Sequence, residues 1–107
     1  MGFPTMYRVR QRFEQQPAVT DLREAVFAEL ERIGLQARIR PGMAVAVCVG
    51  SRGVANLAVV TRAVLDRLKG WGAAPFLVPA MGSHGGATAE GQVSVLGTYG
   101  VTEEAMG

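Results

Sequence analysis

Two short apolar runs separated by one helical pattern constrain the fold of this chain most strongly. Residues 43–49 are apolar throughout and β-branched at alternate positions, and residues 74–78 form a second apolar run. Between them, residues 56–69 place leucines and valines on one face at helical spacing. A strand, a helix and a strand within about 35 residues form one βαβ unit, which is right-handed with parallel strands. We therefore predict an α/β domain with a parallel sheet whose strands are buried on both faces.

Residues 1–40 are expected to lead into this unit through a strand and a helix. Residues 6–13 crudely alternate arginines with less polar side chains, which predicts a half-exposed strand whose arginines resist edge-to-edge pairing. Asp21 and Glu24 have the spacing of a capping box. Apolar side chains recur at helical spacing after them, which predicts an amphipathic helix to about Gly34.

Residues 41–107 are predicted to form a βαβα unit. A short helix from Thr88 or Ala89 to Leu96, with Thr88 as its polar cap, follows the second strand. Thr102 with two acidic residues after it is typical of another helix start. Two strands make a sheet too narrow to cover both of its faces. We therefore interpret residues 1–107 as a single α/β domain, the N-terminal part of a larger protein. The alternative is a small self-sufficient domain that forms a homo-oligomer to complete its sheet.

Composition excludes several functional classes. The net charge is only +2 and no Lys/Arg run occurs, which argues against nucleic-acid binding. No apolar stretch approaches the ~20 residues that span a bilayer, and no signal peptide is visible. The single cysteine, Cys48, excludes an internal disulfide framework and favours a cytoplasmic location. Because Cys48 stands between valines in a predicted strand, we expect it to be a buried structural thiol.

Both predicted strands end in glycine-containing loops. Residues 50–53 follow the first strand and residues 81–87 follow the second. Ligands of open parallel sheets bind outside the carboxyl ends of the strands, so both loops are expected to face one crevice. Accessible backbone N–H groups and the helix start after the second loop suit an anion. The second loop is neither the dinucleotide fingerprint nor a Walker A loop, so a tight turn without a ligand remains the alternative.

Four polar side chains of these loops are candidates for chemistry. His84, the only histidine, could move a proton near neutral pH or serve as a turn residue. Arg52 could present its planar fork to a carboxylate or phosphate, or be a solvated surface charge. Ser51 and Ser83 could donate to the same anion or satisfy turn backbone. One histidine and one distant cysteine cannot close a coordination sphere, so we assign no metal ligand in this chain.

Two segments resemble the N-terminal domain of the lactate racemase family. Residues 52–56, Arg-Gly-Val-Ala-Asn, correspond to an Arg-Pro-x-Pro-Asn-like segment of that family, and residues 82–84, Gly-Ser-His, correspond to a Gly-Thr-His-Arg-like segment. The run from Val78 to Thr88 looks like a less characterised branch. The resemblance covers roughly residues 40–107, and the second segment is its most specific part.

The resemblance implies an isomerase that inverts a 2-hydroxy acid by reversible hydride transfer to a nickel pincer nucleotide. His84 matches a histidine that is one of two catalytic bases, and Arg52 matches an arginine thought to hold the substrate carboxylate. The positions that fall where the family binds substrate or cofactor are Ser51, Gly82, Ser83, Gly85 and Gly86.

Because the sequence departs from the family pattern, the resemblance does not identify the substrate. Gly53 and Ala55 replace prolines, and Gly85 replaces the arginine after the histidine. The lysine and histidines that anchor the cofactor lie in family regions outside this chain, and Lys69 does not match that lysine. The fragment alone is therefore expected to be inactive. The alternatives are a phosphate- or nucleotide-binding α/β module without catalysis and a structural assembly domain.

Overall fold

The computed structural model describes residues 1–51 and 54–107 and shows a mixed α/β fold. The predicted βαβ unit is confirmed, because the strands on either side of the central helix pair in parallel. None of the helices in the described ranges combines the length and apolar character that a membrane crossing requires. The elements are α1 (Leu22–Arg32), a 3₁₀ turn (Leu35–Arg38), β1 (Ala44–Val49), α2 (Leu57–Gly70), β2 (Ala74–Pro79), a second 3₁₀ turn (His84–Ala87), α3 (Ala89–Thr98) and α4 (Glu103–Met106).

The sheet is covered on one face. β1 and β2 pair in register from Ala44 opposite Ala74 to Val49 opposite Pro79. Along β1, exposed side chains alternate with partly or fully buried ones, so the prediction of burial on both faces is wrong. Cys48 is exposed rather than buried, because it belongs to the uncovered set of alternating positions. Phe76 on β2 is also 51% exposed.

The core lies between the sheet, α2 and the two C-terminal helices. Burying each of its larger apolar side chains contributes roughly 1.5–3 kcal/mol to folding. Because members of the cluster come from the end of β1, from α2 and from every later helix, the core holds the carboxyl end of the sheet in place. The buried cluster consists of Val49, Leu65, Met81, Leu96, Val101 and Met106.

The N-terminal lead-in differs from its prediction. Residues 6–13 form no strand with any residue that the structure describes, so the predicted strand is wrong. A strand requires a hydrogen-bonding partner, and the segment is exposed and without regular secondary structure. The predicted cap of α1 is confirmed, since the Asp21 side chain accepts a hydrogen bond from the Glu24 N–H at 3.0 Å. The helix ends at Arg32, just before Gly34, which adopts a left-handed conformation with φ of 67°.

Ion pairs attach α1 to α2. Asp66 on α2 accepts hydrogen bonds from Arg23 on α1 and, at 2.8 Å, from Arg62 one turn away. The guanidinium groups of Arg23 and Arg67 each lie 4.8 Å from the centre of the Phe27 ring. The hydrogen bond from Arg23, followed by the charge of Arg62, lowers the pKa of Asp66. Polar contacts around Asp66 therefore contribute to holding α1 against α2.

Asp66→Asn is expected to lower the free energy of unfolding by about 1 kcal/mol at neutral pH. The lowered pKa means that folding favours the charged carboxylate. This contribution is present above the ordinary aspartate pKa of about 3.9 and disappears as pH falls through the lowered folded-state pKa. Urea unfolding at about pH 7 and about pH 2 should therefore show a difference from the parent chain only at the higher pH. Glu14→Gln, on the exposed lead-in, is the matched control; an Asp66 effect that persists at low pH contradicts the electrostatic origin.

Candidate functional site

The loops that follow the two strands meet at the carboxyl end of the sheet. Ser51 comes two residues after β1 and His84 follows β2, and Ser51 Oγ is hydrogen-bonded to His84 Nδ1. Ser51 is only 7% exposed and His84 is half-buried. Parallel strands in register bring their carboxyl ends together, and this contact joins residues 33 positions apart. Ser51 and His84 therefore form a polar pair at the edge where ligands of parallel sheets bind.

Arg52 and Gly53 lie outside the described residues. The role of Arg52 as the residue that holds a carboxylate therefore remains a prediction. Ser83 is exposed beside His84.

The proton arrangement in the Ser51–His84 pair determines what the imidazole can do. If the Ser51 hydroxyl donates to Nδ1, the neutral ring carries its proton on Nε2 and cannot accept another there. If Nδ1–H donates to Ser51 Oγ instead, Nε2 carries the lone pair and can act as a base. Ser51 thus contacts the ring nitrogen whose protonation distinguishes the two tautomers of His84.

The loop around His84 requires unusual backbone conformations. Gly82, Gly85 and Gly86 have φ values of 61°, 63° and 68°, and Ala87 follows with 57°. Only glycine adopts such left-handed angles without a steric cost, so these three glycines have a conformational role whatever they bind. The turn at residues 84–87 carries the chain from β2 into α3 and leaves the imidazole facing Ser51.

Side chains of the first turn of α3 fasten this loop. Gln92 Nε2 donates to the Gly82 carbonyl at 2.7 Å, and Thr88 Oγ1 donates to the Gly85 carbonyl at 3.2 Å. Thr88 Oγ1 also accepts from the Gly91 N–H at 3.1 Å, which confirms the predicted helix cap. The position of His84 therefore depends on the packing of the loop against α3.

A cavity of about 310 Å³ opens beside the polar pair. Ser51, His84 and Gly85 line one side, and Val95 and Tyr99 line another. The sequence analysis did not identify Val95 and Tyr99 as site residues. The only available signal was their spacing of four residues, which places both on one side of α3. The volume suits a small molecule.

A second, larger cavity has a different character. It measures about 420 Å³, lies along β2 and α4, and is lined mainly by apolar side chains, including Phe76, Leu77 and Met106. The Ser51 hydroxyl and the His84 imidazole line the smaller cavity instead. We therefore take the smaller cavity as the candidate site.

The described residues do not fit a nickel pincer nucleotide. Within residues 1–51 and 54–107, no three His, Cys, Asp or Glu side chains come together as a metal site would require. Cys48 lies on the uncovered face of the sheet. Lys69 donates to the Gly107 carbonyl and lines the larger apolar cavity, so it is not placed to anchor a cofactor beside His84.

Comparisons with known protein families, curated proteins and solved structures found no match to this chain. A functional assignment therefore depends on the residues themselves and on their geometry.

Proposed function

We propose that this chain supplies one half of a proton-transfer site in an isomerase of the lactate racemase type that acts on a 2-hydroxy acid. In this proposal His84 is a general base and Arg52 holds the substrate carboxylate. The observation that carries it is the hydrogen bond between Ser51 and His84 at the carboxyl ends of two parallel strands. The resemblance of residues 52–56 and 82–84 to the lactate racemase family supports the choice of substrate class.

The chemistry of inversion explains why a base is needed. A group that removes the proton of the substrate hydroxyl is required on each face of the carbon that inverts. An imidazole titrates near neutral pH, and a positioned base typically contributes about 10²–10⁴-fold to the rate. His84 is one such base. The second base would come from residues outside this chain.

Ser51 makes His84 suitable for this role. With Nδ1–H donating to Ser51 Oγ, the lone pair stands on Nε2, where a substrate hydroxyl can deliver its proton. Because Ser51 is 7% exposed, its hydroxyl is held in a restricted environment, and the ring orientation is restricted with it. In the proposal, Ser51 is therefore a positioning residue.

In the proposal, Arg52 binds the carboxylate of the substrate. It is adjacent to Ser51 in sequence, and a guanidinium forms two parallel hydrogen bonds to a carboxylate. Fixing the carboxylate would allow the hydroxyl-bearing carbon to be presented to a base from either face. The proposal places the nickel pincer nucleotide on residues outside this chain.

The first test is the nickel content and intact mass of the full-length natural protein, produced together with the enzymes that make the cofactor. We expect stoichiometric nickel and a covalent increase in mass. The control is a known cofactor-dependent racemase produced with the same enzymes. If that control is loaded while this protein has neither nickel nor added mass, the isomerase proposal is wrong.

A phosphate- or nucleotide-binding module is the second candidate. The run of left-handed residues from Gly85 to Ala87 ahead of α3 favours it, because such turns can direct backbone N–H groups toward an anion. Titrating the chain with inorganic phosphate and separately with lactate, while following amide resonances by NMR, distinguishes the two candidates. Shifts at residues 82–86 with phosphate alone favour the module, and shifts with lactate alone favour the isomerase.

Ser51→Ala is expected to change the tautomer of His84. In the proposal, Nδ1–H donates to Ser51 Oγ in a hydrogen bond of about 0.5–1.5 kcal/mol, so loss of this bond should move the tautomer ratio roughly 2–10-fold toward Nε2–H. The ¹⁵N shifts of the two ring nitrogens report this ratio directly. Ser83→Ala, on the exposed neighbouring serine, is the matched control. An unchanged ratio in Ser51→Ala contradicts the positioning role.

A further inference from the structure

Residues 6–13, here called the N-terminal arm, form no helix or strand, and their apolar side chains are not buried. Met6, Tyr7, Val9 and Phe13 are 76–86% exposed. The chain has a radius of gyration of 18.7 Å, whereas a compact domain of this length has about 13 Å. Its extents are 67 × 36 × 23 Å. The arm therefore projects from the packed part of the chain, and none of the backbone hydrogen bonds between described residues involves it.

β1 has an open edge that can receive a strand. The Ala74 and Ala80 N–H groups donate to the carbonyls of Met43 and Val49, each at 2.8 Å. Residues of a parallel strand alternate in the side to which their backbone groups point. The odd-numbered residues therefore face β2, and the N–H groups of the even-numbered residues face outward from β1. Among the described residues, the sheet has no further strand on that side.

The outer edge of β2 is much less able to pair. By the same alternation, Pro75, Leu77 and Pro79 face outward from β2. Proline has no N–H, so two of these three positions cannot donate to another strand. An added strand is therefore directed to β1.

The charges of the arm also favour pairing with β1 over pairing with a second arm. The arm carries Arg8, Arg10 and Arg12 at alternate positions, so two paired arms would bring arginines together, which is destabilising. β1, with the sequence Ala-Val-Ala-Val-Cys-Val, has no charged side chain. An arm on β1 therefore meets no like charge from that strand.

We infer that the arm of one copy adds as a third strand to β1 of a second copy, and that the exchange is reciprocal. A two-fold exchange satisfies both open edges and both arms at once. Tyr7 and Phe13 of the two arms would together bury roughly 600–1,000 Å². With the aliphatic side chains, this approaches the roughly 1,200–2,000 Å² of a stable interface. The partner is therefore a second copy of this chain, a conclusion independent of the proposed isomerase function.

Cross-linking distinguishes exchange from pairing within one chain. Cys48 is exposed on β1 and is the only cysteine. Val9→Cys and Arg10→Cys place a thiol on opposite faces of the arm, so one of them shares the face of Cys48. Each is made with Cys48→Ala, tagged, and mixed with the untagged parent chain and a short bis-maleimide. We expect a covalent heterodimer with one of the two variants.

The controls determine which outcomes overturn the inference. The tagged Cys48→Ala chain without an arm cysteine should give no heterodimer. A chain with both an arm cysteine and Cys48 that links only within itself, with no heterodimer in the mixture, shows pairing within one copy and overturns the exchange.

Sedimentation gives a second readout without cross-linking. Val9→Pro and Arg10→Pro each remove one N–H from a segment that is exposed in the monomer. Because N–H groups of neighbouring residues in a strand point to opposite sides, one of the two should abolish the dimer without unfolding the domain. Gln15→Pro, outside the arm, should leave the dimer intact. A parent chain that is monomeric, or a dimer that survives both Val9→Pro and Arg10→Pro, contradicts the exchange.

Discussion

Replacing His84 with glutamine is expected to lower the turnover of a 2-hydroxy acid by about 10²–10⁴-fold in the complete protein. Glutamine keeps a polar side chain of similar length but cannot accept and release a proton near neutral pH. Because the loss affects proton transfer, we expect a much larger change in kcat than in KM. Chiral chromatography of product formed from a single enantiomer measures both parameters.

Two controls make the His84 experiment specific. Ser94→Ala changes an exposed serine of α3 that lines neither cavity and should leave turnover within about twofold, since it does not touch the proposed site. Circular dichroism of His84→Gln should match the parent chain. If turnover of a folded His84→Gln protein stays within about twofold of the parent, His84 is not the base.

The helices and strands were predictable where hydrophobic periodicity and capping residues indicate the same element. The apolar runs of β1 and β2 with the amphipathic α2 between them predict a parallel βαβ unit, and the structure contains it. Asp21 and Thr88 were identifiable as caps because their side chains satisfy helix N–H groups locally. Such caps depend only on neighbours in sequence.

The burial of the sheet and the structure of residues 6–13 were less predictable because they depend on contacts with other elements. The apolar sequence of β1 predicts two covered faces, but a face is covered only where another element lies on it, and Cys48 is exposed. Residues 6–13 have the alternation of a strand, yet a strand needs an edge to pair with. In the proposed exchange, that edge is β1 of a second copy.

The candidate site was predictable in its position but not in its contacts. The rule that ligands bind at the carboxyl ends of parallel strands placed residues 50–53 and 81–87 together. The hydrogen bond between Ser51 and His84 has no local sequence signal, because it joins side chains of two separate loops. Tyr99 could be recognised as a lining residue only after α3 was positioned against the loop.

Gly91→Ala is expected to cause a large loss of stability by disturbing the contact between the His84 loop and α3. A Cβ at Gly91 would collide with the carbonyl of Gly85, and a Cβ at Gly85 would collide with the backbone of Gly91. Both neighbours are backbone atoms, so no side chain can rotate away. Thr88 and Gln92 fasten the loop on either side, which limits relief by movement. We expect a loss of about 3 kcal/mol, the upper part of the usual range for overpacking.

Gly97→Ala separates this collision from the general effect of alanine in a helix. Gly97 lies in the same helix, and nothing among the described residues is within 4 Å of a Cβ built there. Alanine should therefore stabilise the chain by about 0.5–1 kcal/mol through helix propensity. Thermal unfolding should show opposite shifts, with the Gly91→Ala midpoint lower by at least 10 °C, as expected from roughly 4–8 °C per kcal/mol for a domain of this size. The ¹⁵N shifts of His84 should also change in Gly91→Ala and not in Gly97→Ala, because only the first moves the loop. If both variants have the stability of the parent chain, the close approach of Gly85 and Gly91 does not hold the His84 loop.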